Sequence, residues 1–112
     1  MLTEKDYCNY NVCIALEELG FPIRRIKVKG EEKHVPILLY EAQKFLREEH
    51  GIIVDVRYGA IYYNVVLAHR ITGGRVIIKD KDDRIADFER YESALNEGIK
   101  EAVKLLKEQI NG

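Results

Sequence analysis

Residues 36–67, PILLYEAQKFLREEHGIIVDVRYGAIYYNVVL, carry the clearest structural pattern in the chain. In the first half, apolar residues recur every three or four positions, as on one face of an amphipathic helix: Leu38, Ala42, Phe45 and Leu46. Pro36 suits the first turn of a helix, where the amide hydrogen that it lacks would have no partner. Gly51 suits the C-terminal cap, because a residue without Cβ adopts the left-handed conformation at little cost. The pattern therefore predicts a helix over residues 38–50.

The second half of this stretch predicts a β-hairpin. Residues 52–58 alternate between apolar and mixed positions, with one side made of Ile52, Val54, Val56 and Tyr58. The dipeptide at 59–60 has glycine first, which suits a two-residue type II′ turn. That turn would place Val56 opposite Tyr63, with residues 61–71 forming the returning strand. Every pair on the Val56 side is then apolar, so this side is the predicted inner face.

Two further elements follow the hairpin. Gly73-Gly74 is a strong turn signal and predicts a third strand over residues 75–80, with Ile71 opposite Val76. A helix is predicted over residues 90–110, because its apolar residues step by three or four: Tyr91, Leu95, Ile99, Ala102 and Leu106.

Before the central helix, Thr3 and Asp6 resemble a capping box and predict a helix that ends at Gly20. Residues 24–29 alternate as a strand, a candidate fourth strand at an edge of the sheet. The sequence thus predicts one α+β domain over residues 1–112, in the order α-β-α-β-β-β-α. A three-stranded antiparallel meander forms one layer, and helices pack on its inner face as the second.

Composition narrows the class of protein. Eighteen basic and nineteen acidic residues give a net charge of −1, so no global field attracts nucleic acid or anionic membranes. No apolar run approaches the ~20 residues of a membrane span. The start, MLTEKDYC, lacks the features of a signal peptide, so we expect a cytoplasmic protein with no membrane partner. Cys8 and Cys13 are then expected to be reduced structural thiols.

The search for catalytic and ligand-binding patterns finds none. The chain has no GxSxG, HExxH, P-loop or GxGxxG motif, and its three histidines fall on separate predicted elements. The run from Lys79 to Arg84 contains three aspartates, but it lacks the glycine and glutamate that an EF-hand loop requires. We therefore predict a protein that is not an enzyme, with no catalytic, cofactor or metal residues.

Two surfaces are candidates for binding. The outer face of the sheet is about half apolar, whereas a solvated antiparallel face is mostly polar. Either the first helix or a second copy of the chain would cover it, and we favour a homodimer over a separate protein partner. The candidate interface residues are Ile53, Tyr62, Asn64, Val66 and Ile77.

The second surface is the densest basic run, RRIKVK. It offers candidate phosphate contacts at Arg24, Arg25, Lys27 and Lys29. Lysines on an edge strand also discourage aggregation, and we favour this explanation of the run.

Three resemblances bear on function. The order α-β-β-β-α from Pro36 onward is similar to a double-stranded-RNA-binding domain, although Glu89, Arg90, Tyr91 and Glu92 stand where that family carries a lysine cluster. The βββα part, with its helix start YESAL, resembles the partner-binding domain of HicB-type antitoxins. More of the chain, from about His34 to Ile110, resembles a family of short uncharacterised proteins encoded in prophages and mobile elements of gut bacteria. QKFLREEHGI and YESAL carry that likeness, which implies a genomic setting and no site residues.

Two hypotheses follow. The first is a non-enzymatic interaction module of a phage or mobile element, which associates with itself. The alternative is a nucleic-acid-binding regulator, similar to the double-stranded-RNA-binding or the HicB antitoxin domain. A contiguous basic face would favour the regulator, and interleaved charge would favour the interaction module.

Overall fold

The computed structural model describes residues 2–111, and the side chains of residues 2–109. Met1 and Gly112, the ends of the predicted domain, lie outside the described residues. The helices are α1 (Tyr10–Glu18), α2 (Leu39–His50) and α3 (Tyr91–Asn111), and a 3-10 turn spans Glu4–Asp6. The strands are β1 (Arg25–Val28), β2 (Glu31–His34), β3 (Ile52–Tyr58), β4 (Tyr63–His69) and β5 (Arg75–Ile77). The α+β class and the order α-β-α-β-β-β-α are confirmed, with β2 added beside β1. None of the described helices is long and apolar enough to cross a membrane.

The main sheet is an antiparallel meander in the order β3-β4-β5. Helices α2 and α3 pack on its inner face, and α1 packs against α3, so α1 joins the helical layer. The core draws on all three helices and the sheet: Val12, Leu16, Leu39, Leu46, Val54, Val65, Leu67, Ile99 and Val103. The prediction that α1 could cover the outer face of the sheet is therefore wrong.

The predicted register of the β3–β4 hairpin is wrong by two residues. Tyr58 pairs with Tyr63 and Val56 with Val65, so the loop has four residues, 59–62. The Gly59 amide donates to the carbonyl of Tyr62 at 2.8 Å, and the rings of Tyr58 and Tyr63 lie 5.0 Å apart. In the predicted register Tyr63 would instead have been opposite Val56. Because the shift is even, each residue keeps its predicted face.

The β4–β5 connection is also longer than the predicted Gly73-Gly74 turn. The amide of His69 donates to the carbonyl of Gly74, and the imidazole Nδ1 of His69 accepts from the amide of Thr72 at 3.2 Å. Strand β5 pairs through Val66 opposite Ile77, so the shift is again even. The side chain of His69 fixes this turn, which explains the longer loop.

Residues 24–29 do not add a fourth strand to the main sheet. Among the strands that the structure describes, β1 pairs only with β2, as a separate two-stranded sheet. Lys29 and Gly30 form its turn with φ of 53° and 81°, as a type I′ hairpin turn requires. Strand β2 follows this turn directly, over Glu31–His34. We call this hairpin, residues 25–34, the β-arm.

Particular residues set the ends of α2 and the distance of α3 from the sheet. Helix α2 begins after Leu38, so Pro36 precedes the helix instead of lying in its first turn, and Gly51 caps its C-terminus with φ of 68° as predicted. Gly98 brings α3 close to the sheet. A Cβ there would lie 2.5 Å from Val54 Cγ1 and 2.7 Å from Val65 Cγ2, so no larger residue fits without displacement.

Candidate interaction surface

Among residues 2–111 no helix lies on the outer face of the main sheet, because α1, α2 and α3 are all on the other side. Val66 is central on this face, between Asp55 of β3 and Ile77 of β5. It is 7% exposed although it is not part of the main core, while Ile53 and Ile77 are half-buried. The face thus carries an apolar strip that neighbouring side chains cover only in part.

The structure brings four of the five predicted interface residues onto this face. Ile53, Asn64, Val66 and Ile77 lie on it, with Ile53 opposite Ala68 and Asn64 opposite Arg57. Tyr62 lies instead in the loop before β4, where it is 43% exposed. The longer loop is the reason that Tyr62 does not lie on a strand.

The outer face also carries charge along β3. Asp55 and Arg57 are two residues apart, so they point to the same side of the strand. Arg57 Nε donates to Asp55 Oδ2 at 2.8 Å, and both side chains are more than 40% exposed. The face therefore combines an apolar strip with a solvated ion pair on the strand at its border.

Strand β3 has one unpaired edge. The carbonyl of Gly51 accepts from Arg70 and the amide of Gly59 donates to Tyr62, so the odd-numbered residues of β3 bond to β4. In an antiparallel pair the bonded residues alternate, so the even-numbered residues direct their amides and carbonyls away from β4. Within residues 2–111, no strand lies on that side. One of these outward carbonyls, that of Val54, already accepts a hydrogen bond of 2.8 Å from the side-chain Nε2 of Gln43.

The opposite edge of the sheet is short and partly occupied. Strand β5 has three residues, and the chain then turns back on itself, with Lys79 opposite Ile85 and the amide of Ala86 donating to Ile78. Phe88 exchanges two backbone hydrogen bonds of 2.8 Å with Tyr63. The free edge of β3 is therefore the longer of the two.

Arg24, predicted as a phosphate contact, is engaged inside the protein. Its guanidinium forms two hydrogen bonds to the Glu41 carboxylate, at 2.9 and 3.1 Å, and one to the carbonyl of Pro36. It also lies over the ring of Phe21, 5.3 Å from the centroid. Arg24 thus joins the base of the β-arm to α2, and its guanidinium already has partners within the fold.

The other three basic candidates lie on the β-arm. Arg25 pairs with His34 and Lys27 with Glu32, while Lys29 lies in the turn. All three side chains are exposed. Arg25 and Lys27 share a face, but Glu32 stands directly opposite Lys27, so the arm combines cations with an acid and forms no uniform basic surface.

The histidines are held by contacts within the fold. His34 Nε2 lies 2.9 Å from Glu17 Oε2, which ties β2 to α1. His50 Nε2 lies 2.9 Å from the carbonyl of Leu19, at the end of α1. Together with His69 in its turn, each histidine has a structural partner, and the described residues bring no three of their His, Cys, Asp and Glu side chains together as a metal site.

A shallow cleft of about 810 Å³, which no sequence motif indicates, lies between the 3-10 turn and the start of α3. Its lining mixes both signs of charge, with Lys5 and Arg90 beside Glu4 and Glu92. Burial, with smaller contributions from Cys13 and Glu41, raises the pKa of the Cys8 thiol that lines it from 9.0 to about 12. A thiol that stays protonated is a poor nucleophile, so this cleft has no activated cysteine.

Comparisons of the chain with protein-family models, with curated proteins and with solved structures found no match.

Proposed function

We propose that the protein is a non-enzymatic interaction module that associates with itself through the β3-β4-β5 sheet. The phage or mobile-element setting belongs to this proposal through the resemblance of residues 34–110. One observation carries the proposal: the three helices lie on one side of the sheet, so its outer face and the long edge of β3 are both open.

The composition of the outer face supports this function. Ile53, Val66 and Ile77 form an apolar strip where a solvated face would be mostly polar. Ile53 and Ile77 remain partly exposed while Val66 between them is buried, so the strip offers a second copy two apolar side chains that reach solvent. A second copy of the chain offers the same strip and the same edge, which is the self-complementarity that a two-fold dimer needs.

Sedimentation velocity over the micromolar range tests the proposal. We expect a reversible dimer, whose dissociation constant rises in Ile53→Lys. Ile53 is half-buried, and it lies both on the outer face and on the free strand, so a cation there opposes association by either surface. The matched control is Ile71→Lys, because Ile71 is 88% exposed in the β4–β5 turn. A wild-type chain that stays monomeric throughout this range would refute self-association.

The alternative function, a nucleic-acid-binding regulator, rests on a different part of the molecule. The β-arm carries Arg25, Lys27 and Lys29, all exposed, and makes few contacts with the body beyond its base. A handful of phosphate contacts of this kind would give weak binding with a steep salt dependence. This function comes second, because Glu32 lies opposite Lys27 on the arm and the whole chain has a net charge of −1.

A further inference from the structure

We propose that two copies of the chain join edge to edge, by antiparallel pairing of β3 with β3, and that Val56 of one copy lies opposite Val56 of the other. This inference rests on the proposed self-association and specifies its geometry. The two meanders would become one continuous six-stranded sheet, with the helices of both copies on the same side.

Strand β3 has the backbone groups for this pairing. The amides and carbonyls of Val54, Val56 and Tyr58 point away from β4, toward the free edge. The side-chain amide of Gln43 donates one hydrogen bond to the carbonyl oxygen of Val54. A carbonyl oxygen has two lone pairs, so the Tyr58 amide of the second copy can use the other.

The charges on β3 select the register. With Val56 at the centre, Asp55 lies opposite Arg57 of the second copy, and Arg57 lies opposite its Asp55. A centre at residue 55 would set two aspartates against each other, and a centre at residue 57 would set two arginines against each other. Opposite charges in directly facing positions stabilise an antiparallel pair, whereas like charges destabilise it. The pairing centred on Val56 is therefore the register that these charges favour.

The competing geometry is face-to-face packing of the two outer sheet faces. It would bury Asp55, Arg57 and Arg75 together with the apolar strip, since all three point to the outer side. Removing such charges from water is costly unless each finds a well-placed partner. Edge pairing leaves them at the surface, where Asp55 and Arg57 already form a solvated pair. The edge therefore fits a second copy better than the face does.

Two charge reversals on separate chains test the register. Asp55→Arg gives a chain with arginine at both positions, and Arg57→Asp gives a chain with aspartate at both. Each variant alone would set like charges opposite each other twice, so we expect its dimer to weaken by about tenfold or more. In an equimolar mixture every facing pair is again of opposite sign, so we expect heterodimers at the wild-type affinity. The internal Asp55–Arg57 pair is lost in both chains, so its loss cannot explain such a rescue.

The readout is sedimentation velocity, with one copy labelled by a fluorophore to detect heterodimers, and circular dichroism verifies that each variant is folded. Ile77→Lys is the second variant, because Ile77 lies on the outer face but on β5, away from the free edge. Edge pairing predicts no change in its dimer. A wild-type dimer that Ile77→Lys dissociates, or a mixture that is not rescued, would overturn the edge geometry while self-association stands. A monomeric wild-type chain would refute both.

Discussion

Replacing Gly98 with alanine is expected to destabilise the protein, although alanine favours a helix more than glycine does. The new Cβ would lie 2.5 Å from Val54 Cγ1 and 2.7 Å from Val65 Cγ2. Carbon atoms pack best at about 3.5–4.0 Å, so both contacts are too close by roughly 1 Å. Val54 and Val65 are 2% and 0% exposed, and β-branched side chains have few alternative rotamers. The helix or the sheet must therefore move.

The magnitude follows from two opposing effects. Adding a methylene to a well-packed core costs about 1–3 kcal/mol, and two clashes with rigid neighbours favour the upper end of this range. Alanine in a helix interior contributes about 1 kcal/mol relative to glycine. The net loss in the free energy of unfolding is then about 2 kcal/mol, and the melting temperature should fall by roughly 8 °C.

Urea unfolding followed by circular dichroism measures this loss. Lys100→Ala is the control, because Lys100 is exposed on the same helix and its removal should change stability by less than about 0.5 kcal/mol. A double-mutant cycle with Val65→Ala isolates the clash with Val65 Cγ2, since the smaller side chain removes that atom and leaves the contact with Val54. Gly98→Ala as stable as the wild type, or additive with Val65→Ala, would refute the close approach of α3 to the sheet.

Three further outcomes are expected. Phe45→Ala should cost roughly 2 kcal/mol in urea titration, because Phe45 is half-buried against Phe21. A cost of about 3–5 kcal/mol, as for a fully buried phenylalanine, would instead place it in the core. The Cys8 thiol has a folded pKa of about 12 against 9.0 unfolded, so its contribution is complete below pH 9 and is lost as the pH rises toward 12. Between pH 8 and 10 the wild type should therefore lose roughly 1 kcal/mol more than Cys8→Ala, and equal losses would contradict the raised pKa. Duplex RNA or DNA should bind no tighter than micromolar at physiological salt, and tight binding that Arg25→Glu with Lys27→Glu abolishes would reverse the ranking of the two functions.

Local patterns in the sequence predicted the helices, four of the five described strands and the faces of the main sheet, but not its register. The alternation in β3 and the glycine at position 51 are local signals, and both elements lie where they were expected. Register depends on how the turn residues pack. The contact of Tyr58 with Tyr63 and the hydrogen bond from the Thr72 amide to His69 lengthened both loops, by even shifts that left every face intact.

Contacts between residues that are far apart in the sequence explain most of the features near the candidate site that could not be predicted. Arg24 was expected at a ligand because nothing near it in sequence indicates Glu41, 17 residues away. The position of α1 was left open for the same reason, since its partner α3 lies at the other end of the described chain. Gly98 did carry a signal, because a glycine inside a helical pattern often marks a close approach.

The packing of α1 against α3 has a consequence for the order in which the chain can fold. Residues 8–16 complete the core only when residues 99–106 are in place, and Lys107 of α3 forms an ion pair with Glu18 at the end of α1. Contacts between distant segments form slowly, because closing a long loop costs entropy before any contact repays it. The hairpin and α2 are made from neighbouring segments and can form early. During synthesis, the apolar side of α1 therefore has no packing partner until α3 has been made.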